Sequence, residues 1–317
     1  MLTFQKPTSP VSPKLLDLTS YKVHPKVPVT ISSFTFGTSP NVSAEAFFTG
    51  LRTYFSLFIP FTDAGTYSFF FVYSTNGSYS LDMNYFFAPN HTISSFNALV
   101  KPWFDKLSDL GIPFTPVTKQ FDAFYPAYQA TWGGDWPTHV GDVNAVTGNR
   151  LFPRGNWEDP AKFNATFDTL RRQSEAGRTF FGYHQAPRNR ANVDNAVNTA
   201  FRHVIAFLLG LAPVPENATP SQIAAASHEL TYDVLGKWRD VAPNSEGGGS
   251  YGNEADVMEP DWQDAFYGTN YPRLREIKKK WDPEGLFYAV TGVGSEDWEV
   301  RDGEMGVQTQ NGRLCRV

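Results

Sequence analysis

The stretch from Ser250 to Trp298 constrains this chain more than any other part of it. There a loop crowded with polar tips runs directly into a well-marked helix. Leu274, Ile277 and Trp281 recur at helical spacing and predict one apolar face. Pro272 suits the first helical turn, where a missing N–H costs nothing. Lys278, Lys279 and Lys280 fall in the last turn, where cations complement the helix dipole. Asp282-Pro283 ends the helix, because the residue before proline is pushed out of the α region. Ahead of the helix, Tyr251, Asn253, Glu254, Asp256, Asn270 and Tyr271 supply many hydrogen-bonding groups in a short span.

The rest of the chain alternates strands with long helices. Met1 to Ser20 reads as an irregular start, and Tyr21 to Phe36 as β-rich. Ala44 to Ile59 has helical spacing and is expected to close at Pro60. Thr66 to Tyr73 and Ser78 to Ala88 read as strands around Asn76-Gly77, a strong hairpin signal. Thr92 to Gly111 reads as a helix capped by Thr92, with Pro102 a cost inside it. Ile112 to Lys119 reads as a strand, Gln120 to Tyr128 as helical, and the polar, Gly-rich Trp132 to Asn149 as a loop. Phe163 to Gly177 is a helix and Arg178 to Gln185 a strand. Asn195 to Leu211 starts extended and turns strongly apolar, and Ser221 to Asp240 is a helix with Ser221 as its cap. Nothing repeats, and the βαβ rhythm of a doubly wound sheet is missing. The fold class expected is α+β, an antiparallel sheet with helices on one face.

The 317 residues suffice for a sizeable core. A net charge of −5 with no basic block argues against nucleic acid as a partner. No apolar run is long enough to span a membrane. The single cysteine, Cys315, forms no intrachain disulfide. Of the six histidines, His139, His184, His203 and His228 are dispersed without metal-ligand spacing, so no metal is expected. No phosphate-binding glycine loop occurs, and no Gly-x-Ser-x-Gly elbow. The 15% aromatic content suits either a ring-filled core or a surface for a flat ligand. Five acceptor patterns for N-glycosylation, at Asn41, Asn76, Asn90, Asn164 and Asn217, lean towards a secreted protein. The first thirty residues nevertheless lack a signal peptide.

The organising stretch carries a resemblance. Its Y-x-N-E-A-D, its Y-G-x-N-Y-x-R-L-x-x-I-K-x-K-W-D-P-x-G-L-F and its G-V-G-S-E-x-W resemble the carboxy-terminal berberine-bridge segment of fungal FAD-linked oxidoreductases, within the vanillyl-alcohol oxidase/PCMH-type flavoproteins. Weaker resemblance reaches back to about Tyr21 and covers that family's substrate domain. It implies a substrate-binding domain over residues 21–249 and a berberine-bridge segment over 250–317. It also implies FAD as cofactor, a hydroxylated or amine small-molecule substrate that gives a hydride to the flavin, and oxygen as acceptor. In the intact family member the flavin lies mainly in an amino-terminal domain, so the chain is expected to be a truncated form lacking most of it. That intact member is expected to be secreted.

The resemblance places Tyr251 beside the flavin, where it takes a proton from a substrate hydroxyl; the other reading is a buried core tyrosine. Asn253 and Glu254 shape the loop, with Asn253 near the cofactor, and the family often has tyrosine in place of Glu254. Asn270 and Tyr271 resemble positions facing the isoalloxazine, although Asn270 equally suits helix capping. His184 and Gln185, at the end of an expected strand, either reach a substrate or stand on the sheet face in solvent. Tyr183 and Tyr79 are weaker candidates of the same kind. A different class of function, a non-catalytic binding or scaffold domain derived from such an oxidase, fits the same features.

Overall fold

The computed structural model describes residues 26–132, 144–187, 193–303 and 312–317. The expected irregular start and residues 21–25 of the first expected strand lie outside these. Seven strands form one sheet: β1 (Val29–Gly37), β2 (Tyr67–Thr75), β3 (Ser78–Pro89), β4 (Val117–Phe121), β5 (Ala145–Pro153), β6 (Phe180–His184) and β7 (Val204–Pro213). Their spatial order is β4-β1-β3-β2-β6-β7-β5, and every pairing is antiparallel. A separate hairpin joins β8 (Trp298–Arg301) to β9 (Arg313–Arg316).

The helices are α1 (Ala44–Ser56), α2 (Phe58–Asp63), α3 (Ile93–Asp109), α4 (Phe124–Thr131), α5 (Gly155–Glu158), α6 (Pro160–Glu175), α7 (Pro220–His228), α8 (Leu235–Val241), α9 (Trp262–Tyr267) and α10 (Tyr271–Trp281). A π-helical turn, Glu229–Val234, links α7 to α8. Helices α1, α2, α3, α6 and the α7–α8 run cover one face of the sheet and seal the main core. Phe47, Phe55, Phe58, Phe70, Phe86 and Trp103 are completely buried there. Each such side chain contributes roughly 1.5–3 kcal/mol by leaving water. Tyr54 stacks on Trp103 at 4.3 Å, and the Trp103 indole N–H donates to the Gly50 carbonyl at 3.1 Å.

Among the described residues, the other face is covered only at its ends. Helix α4 packs on Val29, Ile31 and Phe87 at the β1 end. A short turn, Thr199–Arg202, and Tyr251 pack on Leu151, Phe207 and Leu209 at the β5–β7 end. Between these ridges no described residue covers the β2–β6 stretch.

Local chemistry explains the turns. Asn76 and Gly77 both have positive φ, 51° and 75°, the two-residue turn that matches strand twist and favours this dipeptide. Three helices begin alike: Ser43, Thr92 and Thr219 cap α1, α3 and α7 by accepting from the N–H of Ala46, Ser95 and Gln222. Two residues before each cap stands Asn41, Asn90 or Asn217, the last two at positive φ. Four of the five glycosylation patterns therefore sit where folding itself selects these residues. All five asparagines are exposed.

The D-P-x-G-L-F run is likewise a folding device. The Asp282 carboxylate accepts from the N–H of Leu286 and Phe287 at 2.8 and 3.0 Å and pairs with Lys278 at 2.5 Å. Gly285 has φ +67°, and a Cβ there would lie 2.7 Å from the Trp298 indole nitrogen.

Several expectations need correction. Pro60 does not close the first helix; α1 ends at Ser56, and Pro60 sits in the first turn of α2, where no N–H is needed. The cap of α7 is Thr219 rather than Ser221, because Pro220 takes the first helical position and Gln222 completes a capping box. Pro113 and Pro116 keep 112–116 out of the ladder, so β4 and α4 start later than their spacing suggests. Residues 145–149, expected as loop, belong to β5; 133–143 of that loop lie outside the described residues. Finally, α10 has no buried residue. Ile277 is 44% exposed and Trp281 77%, and Leu286 and Phe287 just beyond are 79% and 77%.

Candidate active site

Tyr251 enters the uncovered face from the loop after α8. Its backbone is gripped by one side chain: Asn149 Oδ1 accepts from the Tyr251 N–H at 2.7 Å, and Asn149 Nδ2 donates to the Tyr251 carbonyl at 2.9 Å. The Ser250 hydroxyl donates to the Asn149 carbonyl, and Asn198 Nδ2 donates to the carbonyls of Ser250 and Ala265. Asn149, Ser250 and Asn198 are all buried, so these bonds form away from water, where leaving them unmade is costly. The Tyr251 ring meets Phe201 and Phe207 nearly edge-on, at 5.6 and 6.0 Å between centroids.

A charge network anchors the same loop from the helix side. Arg150, 1% exposed, reaches Glu259 at 3.3 Å, and Arg239 reaches it at 2.9 Å. Arg150 also donates through Nε and Nη2 to the Ala242 carbonyl. Asp256 accepts from the Thr231 hydroxyl at 2.6 Å. Burial pushes Arg150 down to about 10 and both carboxyls up, while the opposite charges pull each part of the way back. Two cations and two carboxylates thus hold the segment that presents Tyr251.

Past Tyr251 the chain makes a short turn, Gly252–Glu254, closed by the Glu254 N–H donating to the Tyr251 carbonyl at 3.1 Å. Asn253 Nδ2 donates to the Tyr251 phenol oxygen at 2.8 Å. That oxygen accepts, so its own proton is free to be given to another group. Desolvation pushes the Glu254 carboxyl up, and its charge raises the Tyr183 phenol to about 12, after burial as the larger cause. Tyr251, Asn253 and Glu254 therefore gather at one end of the uncovered face.

The floor of that face is aromatic. Tyr183 stacks on Phe69 at 4.9 Å and on Phe207 at 5.7 Å. Phe71 stacks on Tyr73 and Phe181 at 5.5 and 5.2 Å. Sequence reasoning missed Phe69, Phe71 and Phe181. Their signal was period-two alternation in TYSFFFVY, but both faces of β2 carry rings, and alternation alone does not tell which face a helix covers.

The other expected site residues lie elsewhere. His184 is not on the uncovered face. One residue along β6 reverses direction, so Tyr183 points to the floor and His184 into the core, completely buried. Its Nδ1 lies 2.9 Å from the Tyr54 hydroxyl and its Nε2 3.1 Å from the Thr66 hydroxyl. Burial holds its pKa down at about 3, so it stays neutral and meets no substrate. Gln185 is half-buried, with its N–H bonded to the Ile205 carbonyl. Tyr79 packs on Phe47 and Phe48 on the helix side. Asn270 does not cap α10 with its side chain; Nδ2 donates to the carbonyls of Asn195 and Val197 at 3.3 and 2.9 Å. The Tyr271 hydroxyl donates to Glu296 at 2.5 Å and accepts from the Gly294 N–H. No group of metal-ligating side chains occurs among the described residues.

This architecture is that of the VAO-type flavoproteins. The chain aligns with the crystal structure of the VAO-type flavoprotein MtVAO615 from Myceliophthora thermophila C1, with TM-score 0.77 and 26% identity over 93% of this chain and 51% of that one. Residues 250–294 match the berberine and berberine-like domain family. The FAD-linked oxidoreductase orf1 of Neocamarosporium betae is 31% identical over 306 residues, 93% of this chain and 49% of the relative. The VAO-type flavoprotein oxidase VAO615 of Thermothelomyces thermophilus is 30% identical over 87% of this chain and 46% of its own length. The chain belongs to the fungal berberine bridge enzyme-like family of FAD-linked oxidoreductases. It spans about half the length of the curated relatives it matches.

Proposed function

We propose that this chain forms the substrate-binding side of an FAD-dependent oxidase, with Tyr251 touching the reacting group of a small hydroxylated or amine substrate. The observation that carries this is the convergence of Tyr251, Asn253 and Glu254 at one end of an uncovered aromatic floor. Residues 21–249 then act as the substrate domain and 250–317 as the berberine-bridge segment. The flavin supplies a two-electron acceptor, with oxygen taking the electrons afterwards. The protein's part is to lay the substrate on Phe69, Phe71 and Tyr183 and to relay its hydroxyl proton through Tyr251, whose oxygen Asn253 holds in place.

The described residues do not make a complete FAD site. The Asn270 amide and the Tyr271 hydroxyl, expected at the isoalloxazine, already bond to other groups of the chain. Only the floor suits a flat ring system. On this reading the rest of the cofactor is held by the part of the family architecture that the relatives carry and this stretch does not match. The bare Trp281, Leu286 and Phe287 are suited to pack against it. Secretion and glycosylation belong to the same proposal, supported by the exposure of all five acceptor asparagines.

The test is Tyr251→Phe in the enzyme isolated from its own cells, followed by stopped-flow absorbance of the flavin. The ring and its packing survive, and substrate-driven flavin reduction is expected to slow by roughly 10²–10⁴ with flavin content unchanged. Reduction at the parent rate would make Tyr251 a packing residue. A colourless protein that still binds ligand on the floor would favour the non-catalytic binding domain.

A further inference from the structure

The floor carries a row of aromatic rings, with one carboxylate beside the row and another near the Tyr251 end. Tyr183, Phe69, Phe71 and Tyr73 form a continuous row, with successive centroids 4.9 Å apart (Tyr183 to Phe69), 4.9 Å (Phe69 to Phe71) and 5.5 Å (Phe71 to Tyr73). Glu254 stands at the Tyr251 end. The turn that carries it is fixed, because the Glu254 N–H is bonded to the Tyr251 carbonyl and that carbonyl is also held by Asn149. Its carboxylate, partly desolvated, makes no ion pair among the described residues and lies close enough to Tyr183 for its charge to be felt there. Asp82 stands directly across from Phe71 on β3, beside Thr35 and near Tyr73.

We propose that Glu254 selects substrate by charge: the floor takes a flat, apolar molecule whose head group donates a hydrogen bond, neutral or cationic, and rejects a carboxylate of the same shape. The proposal rests on the reading of this face as the substrate site, but it needs no turnover. Ring faces attract flat apolar bodies and cations. A carboxylate head would lie against Glu254 without a cation among the described residues to pair with, and two carboxylates sharing a site cannot both ionise freely. A hydroxyl or ammonium meets an acceptor there, and a charge-assisted bond is stronger than a neutral one.

Three probes of one shape decide it: 2-naphthalenemethanol, 2-naphthylmethylamine and 2-naphthoate. Each is titrated into the full chain by isothermal calorimetry at about pH 7.5, well above the ordinary carboxylate range. The alcohol and the amine are expected to bind at least about ten-fold more tightly than the acid, a difference of the size one close charge imposes. Glu254→Gln is expected to bring the acid within about two-fold of the alcohol, and Phe71→Ala to weaken all three probes. Equal binding of the three probes, selectivity that survives Glu254→Gln, or no binding of any probe would overturn the proposal. None of these outcomes bears on flavin reduction, so the oxidase reading stands or falls separately by Tyr251→Phe.

Discussion

The two faces of the sheet are built from the same residue types and do different work. Tyr183 and His184 are neighbours in β6, yet one lines an open floor and the other is sealed in the core. On the covered side, rings touch rings and the polar groups around His184 are answered: Tyr54 bonds to Ser68 and His184, and His184 to Thr66. On the uncovered side the rings stack in a row, with Asp82 across from Phe71 and Glu254 unpaired among the described residues near the Tyr251 end. Between the surroundings of His184 and those of Glu254 the difference lies not in hydrophobicity but in whether the polar groups are saturated. A saturated cluster stabilises a fold, while an unsaturated one beside an apolar floor is free to recognise something else.

The contrast predicts unequal costs. Trp103→Ala removes a completely buried ring and its bond to Gly50, and is expected to destabilise by about 3–5 kcal/mol in urea unfolding. Phe71→Ala, on the half-exposed floor, is expected to cost well under half of that. Equal costs would mean that the floor is structural.

His184 gives a pH test of the covered side. Its folded pKa, about 3, lies below the ordinary value of 6.5, so only the unfolded chain takes up the proton. Its contribution is complete above about pH 6.5 and is lost as pH falls towards 3. About 2 kcal/mol should disappear between roughly pH 6.5 and pH 5. Glu254, Asp256 and Glu259, whose pKa values are raised, work in the opposite direction at lower pH, so the measurement compares the parent with His184→Asn at each pH. A variant with the parent's pH slope would show that His184 is not the sensitive group.

The smallest stability effect is expected at the exposed end of α10. Trp281→Ser should change folding free energy by under about 0.5 kcal/mol, because the ring is 77% exposed. The same change should visibly lower binding of a hydrophobic dye. Unchanged dye binding would remove Trp281 from the surface proposed to meet the rest of the architecture.

Much of the fold was legible in the sequence. Asn76-Gly77 marked its hairpin, Thr92 its helix, and the motifs of 250–298 marked the berberine-bridge segment, because each is a local signal. The parts that were not legible depend on distant partners. Residues 145–149 look like loop until Arg150 finds Glu259 and β7 supplies the ladder. The Asn149 grip on Tyr251 joins residues about a hundred positions apart and leaves no trace in spacing. Leu274, Ile277 and Trp281 were read correctly as one apolar face of a helix, but periodicity does not say whether anything in the chain covers that face.

The helix starts at Ser43, Thr92 and Thr219 carry a practical consequence. Each hydroxyl that would qualify its asparagine for glycosylation also closes the first turn of a helix. Erasing an acceptor by changing the hydroxyl residue would uncap α1, α3 or α7 at a cost of about 1 kcal/mol, and lost stability would pass for the effect of a lost sugar. Asparagine is the residue to change. At Asn90 and Asn217, where φ is positive, aspartate keeps the backbone comfortable, so Asn→Asp separates the modification from the fold.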